Sequence, residues 1–331
     1  QFSSVQCSKD NTLKNRRLKV TKMQKIQFQR HDIEFDSKGT TCRGWYYQPV
    51  TSEDKTPSSA CILMAHGLGG TVDSGLSPYA ERFASSGFHV IVFDYRYFGK
   101  SDGMPRQLLT VANQLEDWRF AIDYARSMPQ LHPKQIGLWG TSFSGGHVVT
   151  IAAQDNRIKA ICAQNPMLDG MASVKLLAKH AGLLHVIKLC LSGIHDIIKR
   201  KLGMPPVTVP VVGTSGQLSA ISNTQFYDDY IGMASETWVN SMTAGVTVTL
   251  PFYRPISYAN KISCKVLLQP CMLDSVASAS SALTLASKLG PLATLCPLTG
   301  MDHFDLYEGE GFEETVTEQV RFFTRSLFSP S

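Results

Sequence analysis

A mostly parallel α/β sheet covered by helices on both faces is the fold class this sequence predicts. Three observations lead there. Short apolar runs recur along the chain, as fully buried parallel strands require. Helical text follows nearly every one of them, giving the alternation of a sheet covered on both sides. The length, 331 residues with 43% apolar side chains and scattered Gly and Pro, suffices for one sizeable core with room for a smaller subdomain.

The first elements differ in kind. "KIQFQRHDIEF" (25–35) and "TCRGWYYQPV" (41–50) read as two antiparallel strands near a sheet edge. "ACILMA" (60–65) is the first buried parallel strand, followed by the glycine-rich "HGLGGTVDSG" and a helix, "LSPYAERFASSG". "HVIVFDY" (89–95) is the next strand, and "LLTVANQLEDWRFAIDYARS" (108–127) its longer helix. "QIGLWG" (135–140) precedes the helix "GGHVVTIAAQD", and "IKAICAQNP" (158–166) is the fourth apolar run.

The alternation then breaks. Residues 168–255 open with helical text (171–203), pass through the Pro/Val/Gly stretch "MPPVTVPVVGTSG", and continue with "TQFYDDYIGMASETWVNSM". This reads as a mainly helical cap inserted between two parts of one core, 23–167 and 256–331. In the second part "CKVLLQP" (264–270) is a strand, "SASSALTLASKLG" a helix, "LATLCPL" a strand, and a final helix runs from about 311 to 327.

Charge and cysteine usage exclude several functions. The net charge of +5 is concentrated at one end: residues 1–30 hold eight Lys or Arg and one Asp. A basic head on a near-neutral body is not a nucleic-acid-binding domain, and no nucleic-acid partner is expected. Residues 1–22 read as a flexible basic extension without the apolar core of a signal peptide, which leaves an organelle-targeting role open. None of the eight cysteines forms a CxxC pair, which argues against a zinc site, and no metal or cofactor is expected. The chain has no N-x-[ST] sequon and no apolar run long enough to span a bilayer. An intracellular, cytoplasmic protein is the expectation.

The chemistry concentrates in "GLWGTSFSGGHVV" (137–149). A strand ending in glycine, then x-Ser-x, small residues and a helix, makes a turn that exposes a serine hydroxyl at the sheet edge. Ser142 is the favoured nucleophile, although Ser144 stands where such turns usually carry glycine; Ser144 itself would lie in the first helical turn. A serine needs a base, and the base needs an orienting acid. His303, in "LTGMDHFDLY", and Asp274, in "LLQPCMLDSV", both follow strand ends and come in the required chain order. Asp302 and Asp305, beside His303, read as loop structure, and His147 as a helix-face residue. Backbone N–H groups of Leu68, in "AHGLGG", and of Phe143 are the expected oxyanion donors. "HGLGGT" lacks the G-x-G-x-x-G of a dinucleotide site.

These blocks carry a resemblance. "HGLGGTVDSGLSPYAERFASSGFHVIVFDYRYFGKSDGMPRQL", "LEDWRFAIDYAR", "LWGTSFSGGHV" and "MDHFDLYEGEGFE" are similar to the α/β-hydrolase superfamily, in its dienelactone-hydrolase-like and fungal polyketide-transferase-like branch. The likeness covers nearly the whole chain from Met23. It implies the α/β-hydrolase fold, with Ser142, His303 and Asp274 as catalytic triad. The chain departs from the family at Met272, where an acidic residue is usual, at "SVASAS", where a proline is usual, and at Asp302, where glycine is usual.

The expected function is a serine hydrolase acting on an ester or thioester through an acyl-enzyme. The same triad serves an acyltransferase or a lactone-forming cyclase, so the acceptor stays open. A carbon–carbon bond hydrolase and a non-catalytic binding protein of the same fold are the other classes. The apolar composition of 168–255 suits an apolar, secondary-metabolite-like acyl substrate, with Tyr227 and Trp238 as candidate substrate contacts. "GLLHVIKLCLSGIHDIIKRKLG" (182–203) reads first as a cap helix. A weak membrane-surface contact and a homo-oligomer contact are its other readings.

Overall fold

The computed structural model describes residues 26–50 and 59–328; the basic stretch 1–22 lies outside them. β1 (Gln27–Ser37) and β2 (Thr40–Val50) form an antiparallel hairpin. It closes at Lys38 and Gly39, both at positive φ (56° and 80°), the geometry that matches strand twist in a two-residue turn. β3 (Cys61–Ala65), α1 (Ser77–Ser85), β4 (His89–Phe93), α2 (Val111–Ser127), β5 (Ile136–Thr141), α3 (Phe143–Ala152) and β6 (Ala160–Gln164) then alternate. Thr110 starts α2 by accepting a hydrogen bond from the Asn113 N–H at 3.1 Å.

Between β6 and the next long strand the chain forms mainly helices. α4 (Gly170–Ala181) is capped by Asp169, whose side chain accepts from Met171 N and Ala172 N. The helical text over 171–203 divides at Gly182, at φ 92° and ψ 155°, and α5 (Leu183–Lys201) begins there, matching the helix read over 182–203. Two-residue strands β7 (Thr208–Val209), β8 (Val212–Gly213), β9 (Ile221–Ser222) and β10 (Met242–Thr243) pair as β7 with β10 and β8 with β9. α6 (Thr224–Met233), capped by Asn223, and a single turn, α7 (Val246–Thr249), complete this part. Asp196 of α5 ties it together, accepting from the N–H groups of Val207 and Gly245, both at 2.9 Å, and pairing with Arg200.

The sheet resumes with β11 (Lys265–Gln269), α8 (Ala279–Leu289), β12 (Ala293–Leu295) and α9 (Gly309–Leu327). Its order is β1-β2-β4-β3-β5-β6-β11-β12, with all pairs from β4 onward parallel. Strand side chains alternate between the two faces. Leu63, Ile91, Leu138 and Ile161 pack with Trp118 of α2 and Leu285 of α8, while Ile62, Val90, Trp139 and Cys162 pack with Phe83 of α1 and Phe323 of α9. Each such buried large side chain contributes about 1.5–3 kcal/mol. This layering leaves the carboxyl ends of β3, β5, β6 and β11 on one edge, where loops can assemble a site.

Candidate active site

β5 hands the chain to α3 through Ser142, at φ 54° and ψ −117°. A non-glycine residue rarely holds such a conformation, and it persists where the surroundings enforce it. Here β6 and the following loop clamp it: Ser142 N donates to Gln164 O and Met167 N to Ser142 O, both at 2.9 Å. Strand and helix pass so closely that a Cβ on Gly140 would lie 2.3 Å from Ser144 O, and one on Gly146 2.3 Å from Met167 O. Ser144 is fully buried, with its hydroxyl 2.9 Å from that of Tyr95, which accepts from the Trp118 indole. The structure thus separates the two serines: Ser144 is a packing residue, and Ser142 faces open space.

His303 and Asp274 come to Ser142 from two loops. His303 Nε2 lies 3.1 Å from Ser142 Oγ, and His303 Nδ1 lies 2.7 Å from Asp274 Oδ2. Asp274 Oδ1 accepts from the N–H groups of Val276 and Ala277 at 2.6 and 2.9 Å, which fixes the carboxylate. The proton on Nδ1 therefore points at Asp274, and Nε2 is left to accept from Ser142 Oγ–H. Asp302 and Asp305 face their own loop: Asp302 Oδ1 accepts from His303 N, and Asp305 Oδ2 from Asp302 N, both at 2.7 Å.

Asn165 was not anticipated. It follows β6 directly, at φ 41°. Its Oδ1 accepts from Cys271 N at 3.2 Å, and its Nδ2 lies 3.4 Å from His303 O and 2.9 Å from His303 Nδ1. It joins the histidine loop to the strand end that leads to Asp274. The signal for it was slight, an Asn-Pro pair closing an apolar run.

His147 is fully buried, with Nε2 2.8 Å from Gln114 Oε1 and Nδ1 2.7 Å from the Tyr253 hydroxyl. The amide oxygen can only accept, so Nε2 carries the proton and Nδ1 accepts from Tyr253. Burial, with a smaller contribution from His66, lowers its pKa to about 3. His66, also buried, is lowered to about 4, and Asp94, whose carboxylate lies 3.8 Å from it, is raised by burial to about 7. Both rings are neutral at pH 7, so His66 and Asp94 do not form an ion pair.

The 66–70 loop is held from outside. Its Leu68 carbonyl accepts from the Tyr230 hydroxyl at 3.1 Å and its Gly69 carbonyl from the Trp238 indole at 2.9 Å. Gly69 needs to be glycine: it sits at φ 63°, and a Cβ there would lie 2.4 Å from Val211. Two cavities meet at Leu68 and Ser142. The larger, about 1030 Å³ with the open solvent at its mouth counted in, is lined mostly by apolar groups such as Met167, Val174, Leu177, Leu189, Phe226 and Val246. The smaller, about 450 Å³ on the same count, is bounded by His66, Tyr230, His303 and Tyr307.

The two residues expected to contact substrate lie just outside these cavities. Neither Tyr227 nor Trp238 lines either cavity. Trp238 donates its indole N–H to Gly69 O and lies tilted against Tyr230, centroids 5.0 Å apart, while Tyr227, partly buried, packs against the core. Phe226 and Tyr230, their neighbours on α6, reach the cavities instead. Among the described residues no His, Cys, Asp or Glu cluster could hold a metal ion, and no helix is long and apolar enough to cross a membrane.

Comparison with known proteins follows the same lines. Residues 61–185 match the model of a family described as the alpha/beta hydrolase fold. Over 296 residues the chain is 38% identical to the quorum-quenching protein AidA of Acinetobacter baumannii, covering 89% of this chain and 94% of that one. The thiohydrolase aneE of Aspergillus aculeatus is 27% identical over 271 residues, 79% of this chain and 84% of the relative. The crystal structure of the hydrolase GrgF from Penicillium sp. sh18 matches in fold with a TM-score of 0.74 at 22% identity, over 91% of this chain and 100% of that one. The chain belongs to the α/β-hydrolase fold family, in the branch that includes fungal thiohydrolases and polyketide transferases.

Proposed function

We propose that the protein is a serine hydrolase of esters or thioesters whose acyl part is apolar. One observation carries the reading: Ser142 Oγ lies within hydrogen-bond reach of His303 Nε2 and also on the wall of the larger, apolar cavity. Ser142 Oγ attacks the carbonyl carbon while His303 Nε2 takes its proton. Asp274 keeps the ring in the tautomer that can do this and stabilises the imidazolium. The N–H groups of Leu68 and Phe143 receive the oxyanion. Phe143 is the first residue of α3, where helix geometry leaves the N–H without an intrahelical partner. The imidazolium then protonates the departing thiolate or alkoxide, leaving an acyl-serine. Water, deprotonated by His303, attacks this ester and releases the carboxylic acid and Ser142.

The apolar cavity suits the acyl chain, and residues 168–255, which supply most of its walls, act as the cap that selects it. The smaller cavity, which also meets Ser142, suits the leaving group and, after it departs, the acceptor. That second compartment favours a second reading, in which an alcohol replaces water. The alcohol is then a separate molecule, or a hydroxyl of the acyl group itself, which closes a lactone. Relatives named thiohydrolase and polyketide transferase support acyl chemistry with either kind of acceptor. The test is turnover of aryl esters and acyl thioesters of increasing chain length, with and without added alcohol, by wild type and Ser142→Ala. The reading expects release of free acid, or of ester when alcohol is present, only from the wild type; turnover equal in both would refute it.

A further inference from the structure

The outer face of α5 is apolar and uncovered. Leu184, Ile187, Leu191, Ile194, Ile198 and Leu202 recur at steps of three and four, so they form one stripe along the helix. All are exposed, Leu184 at 63%, Leu191 at 60% and Leu202 at 70%. The side chains that hold α5 to the protein, His185, Leu189 and Asp196, lie on the opposite side. Apolar surface so ordered marks an interaction site rather than scattered exposure.

The charges around it narrow the partner. Residues 170–204 contain Lys175, Lys179, Lys188, Lys199, Arg200 and Lys201, and a lone acid, Asp196. Asp196 is buried and engaged by Arg200 and two backbone N–H groups, so it gives the surface no negative charge. On the helical wheel Lys188 and Lys199 follow one margin of the stripe and Lys201 the other. Two copies of this face would set lysines against lysines. An anionic lipid surface complements it on both counts, taking the apolar stripe among its acyl chains and the lysines among its headgroups.

We propose that α5 docks this protein on the surface of an anionic bilayer, lying in the plane of the membrane without crossing it. The inner side of the same helix, through Val186, Leu189 and Cys190, lines the cavity that ends at Ser142. An apolar acyl donor dissolved in the bilayer then reaches the site beside the helix without a passage through bulk water. This last step rests on the proposed hydrolase function; the docking does not.

The test is co-sedimentation of the full chain with vesicles of phosphatidylcholine alone and of phosphatidylcholine mixed with phosphatidylserine. Three variants accompany the wild type: Leu184→Gln/Leu191→Gln/Ile198→Gln, Lys188→Gln/Lys201→Gln, and Ser142→Ala. Melting temperatures and light scattering report folding and oligomeric state. The wild type and Ser142→Ala should bind the mixed vesicles alike, and the neutral ones much less. The lysine variant should lose about fivefold in affinity per lysine removed, and the apolar variant should lose binding while keeping its fold and its activity on a soluble short-chain ester. Absence of binding to mixed vesicles overturns the proposal. So does binding that survives the apolar variant, which would point to the basic head of the chain. A wild-type dimer that the apolar variant dissociates would instead assign the stripe to a second copy.

Discussion

Asn165 Nδ2 lies 2.9 Å from His303 Nδ1 and yet cannot donate to it, because that nitrogen's own proton is directed at Asp274 Oδ2, 2.7 Å away. The amide instead bridges the His303 carbonyl and, through Oδ1, the N–H of Cys271. It works as a brace between the loops that carry His303 and Asp274. Replacing Asn165 by Gly keeps the positive φ accessible and removes the brace. Turnover should fall by about tenfold with little change in KM, as expected when a group acts by holding geometry. Asn165→Ala should show the same loss and cost about 1 kcal/mol more stability, from its left-handed backbone.

Ser144 and Ser142 should separate cleanly. Ser144→Ala removes one of the two partners of the Tyr95 hydroxyl inside the core, at a cost of about 1–3 kcal/mol, and should leave turnover near the wild-type value. Ser142→Ala should leave stability nearly unchanged and abolish turnover, by a factor on the order of a millionfold. Denaturant titration beside ester hydrolysis checks both halves.

A methyl group at Gly140 has nowhere to go, since its nearest neighbour is the Ser144 carbonyl. Gly140→Ala should force α3 away from β5, cost about 1–3 kcal/mol, and displace Ser142 enough to slow acylation by about a hundredfold. Single-turnover acylation measured below the variant's melting temperature checks this.

The acid sensitivity of folding has a stated direction. His147 stays neutral when folded down to a pH of about 3, because burial disfavours its charge, whereas in the unfolded chain it gains a proton near pH 6.5. The unfolded state therefore binds the extra proton as pH falls below about 6.5. The stability that His147 contributes is complete above that pH and is lost below it at about 1.4 kcal/mol per unit. His147→Gln should thus be less stable than wild type at pH 7, and the gap should narrow by about 2 kcal/mol at pH 5. Urea unfolding at the two pH values measures it; a constant gap would contradict the assignment.

Val174 of α4 lines the apolar cavity. Val174→Phe should shorten the usable acyl chain, lowering kcat/KM for long-chain thioesters by about tenfold or more while sparing short ones. A chain-length series settles it.

The elbow, the histidine loop and the acid loop were legible in the sequence because each follows a strand end, where local text and chain order constrain one another. The same locality explains what was hidden. Asn165 acts sideways, across β6 to β11, and no local pattern marks such a contact. The size and apolar company of Trp238 suggest a substrate contact, but they give no sign that its N–H holds Gly69, a partner 169 residues away. The exposure of the α5 stripe was not readable, since an apolar face in sequence looks the same whether it is covered or bare.

The central claim is that Ser142 is an activated nucleophile, and intact mass after a serine-directed fluorophosphonate tests it most directly. The wild type should gain the mass of one phosphonyl adduct, and Ser142→Ala none. An adduct that persists in Ser142→Ala, or a wild type that gains none and turns over no ester or thioester, would contradict the account.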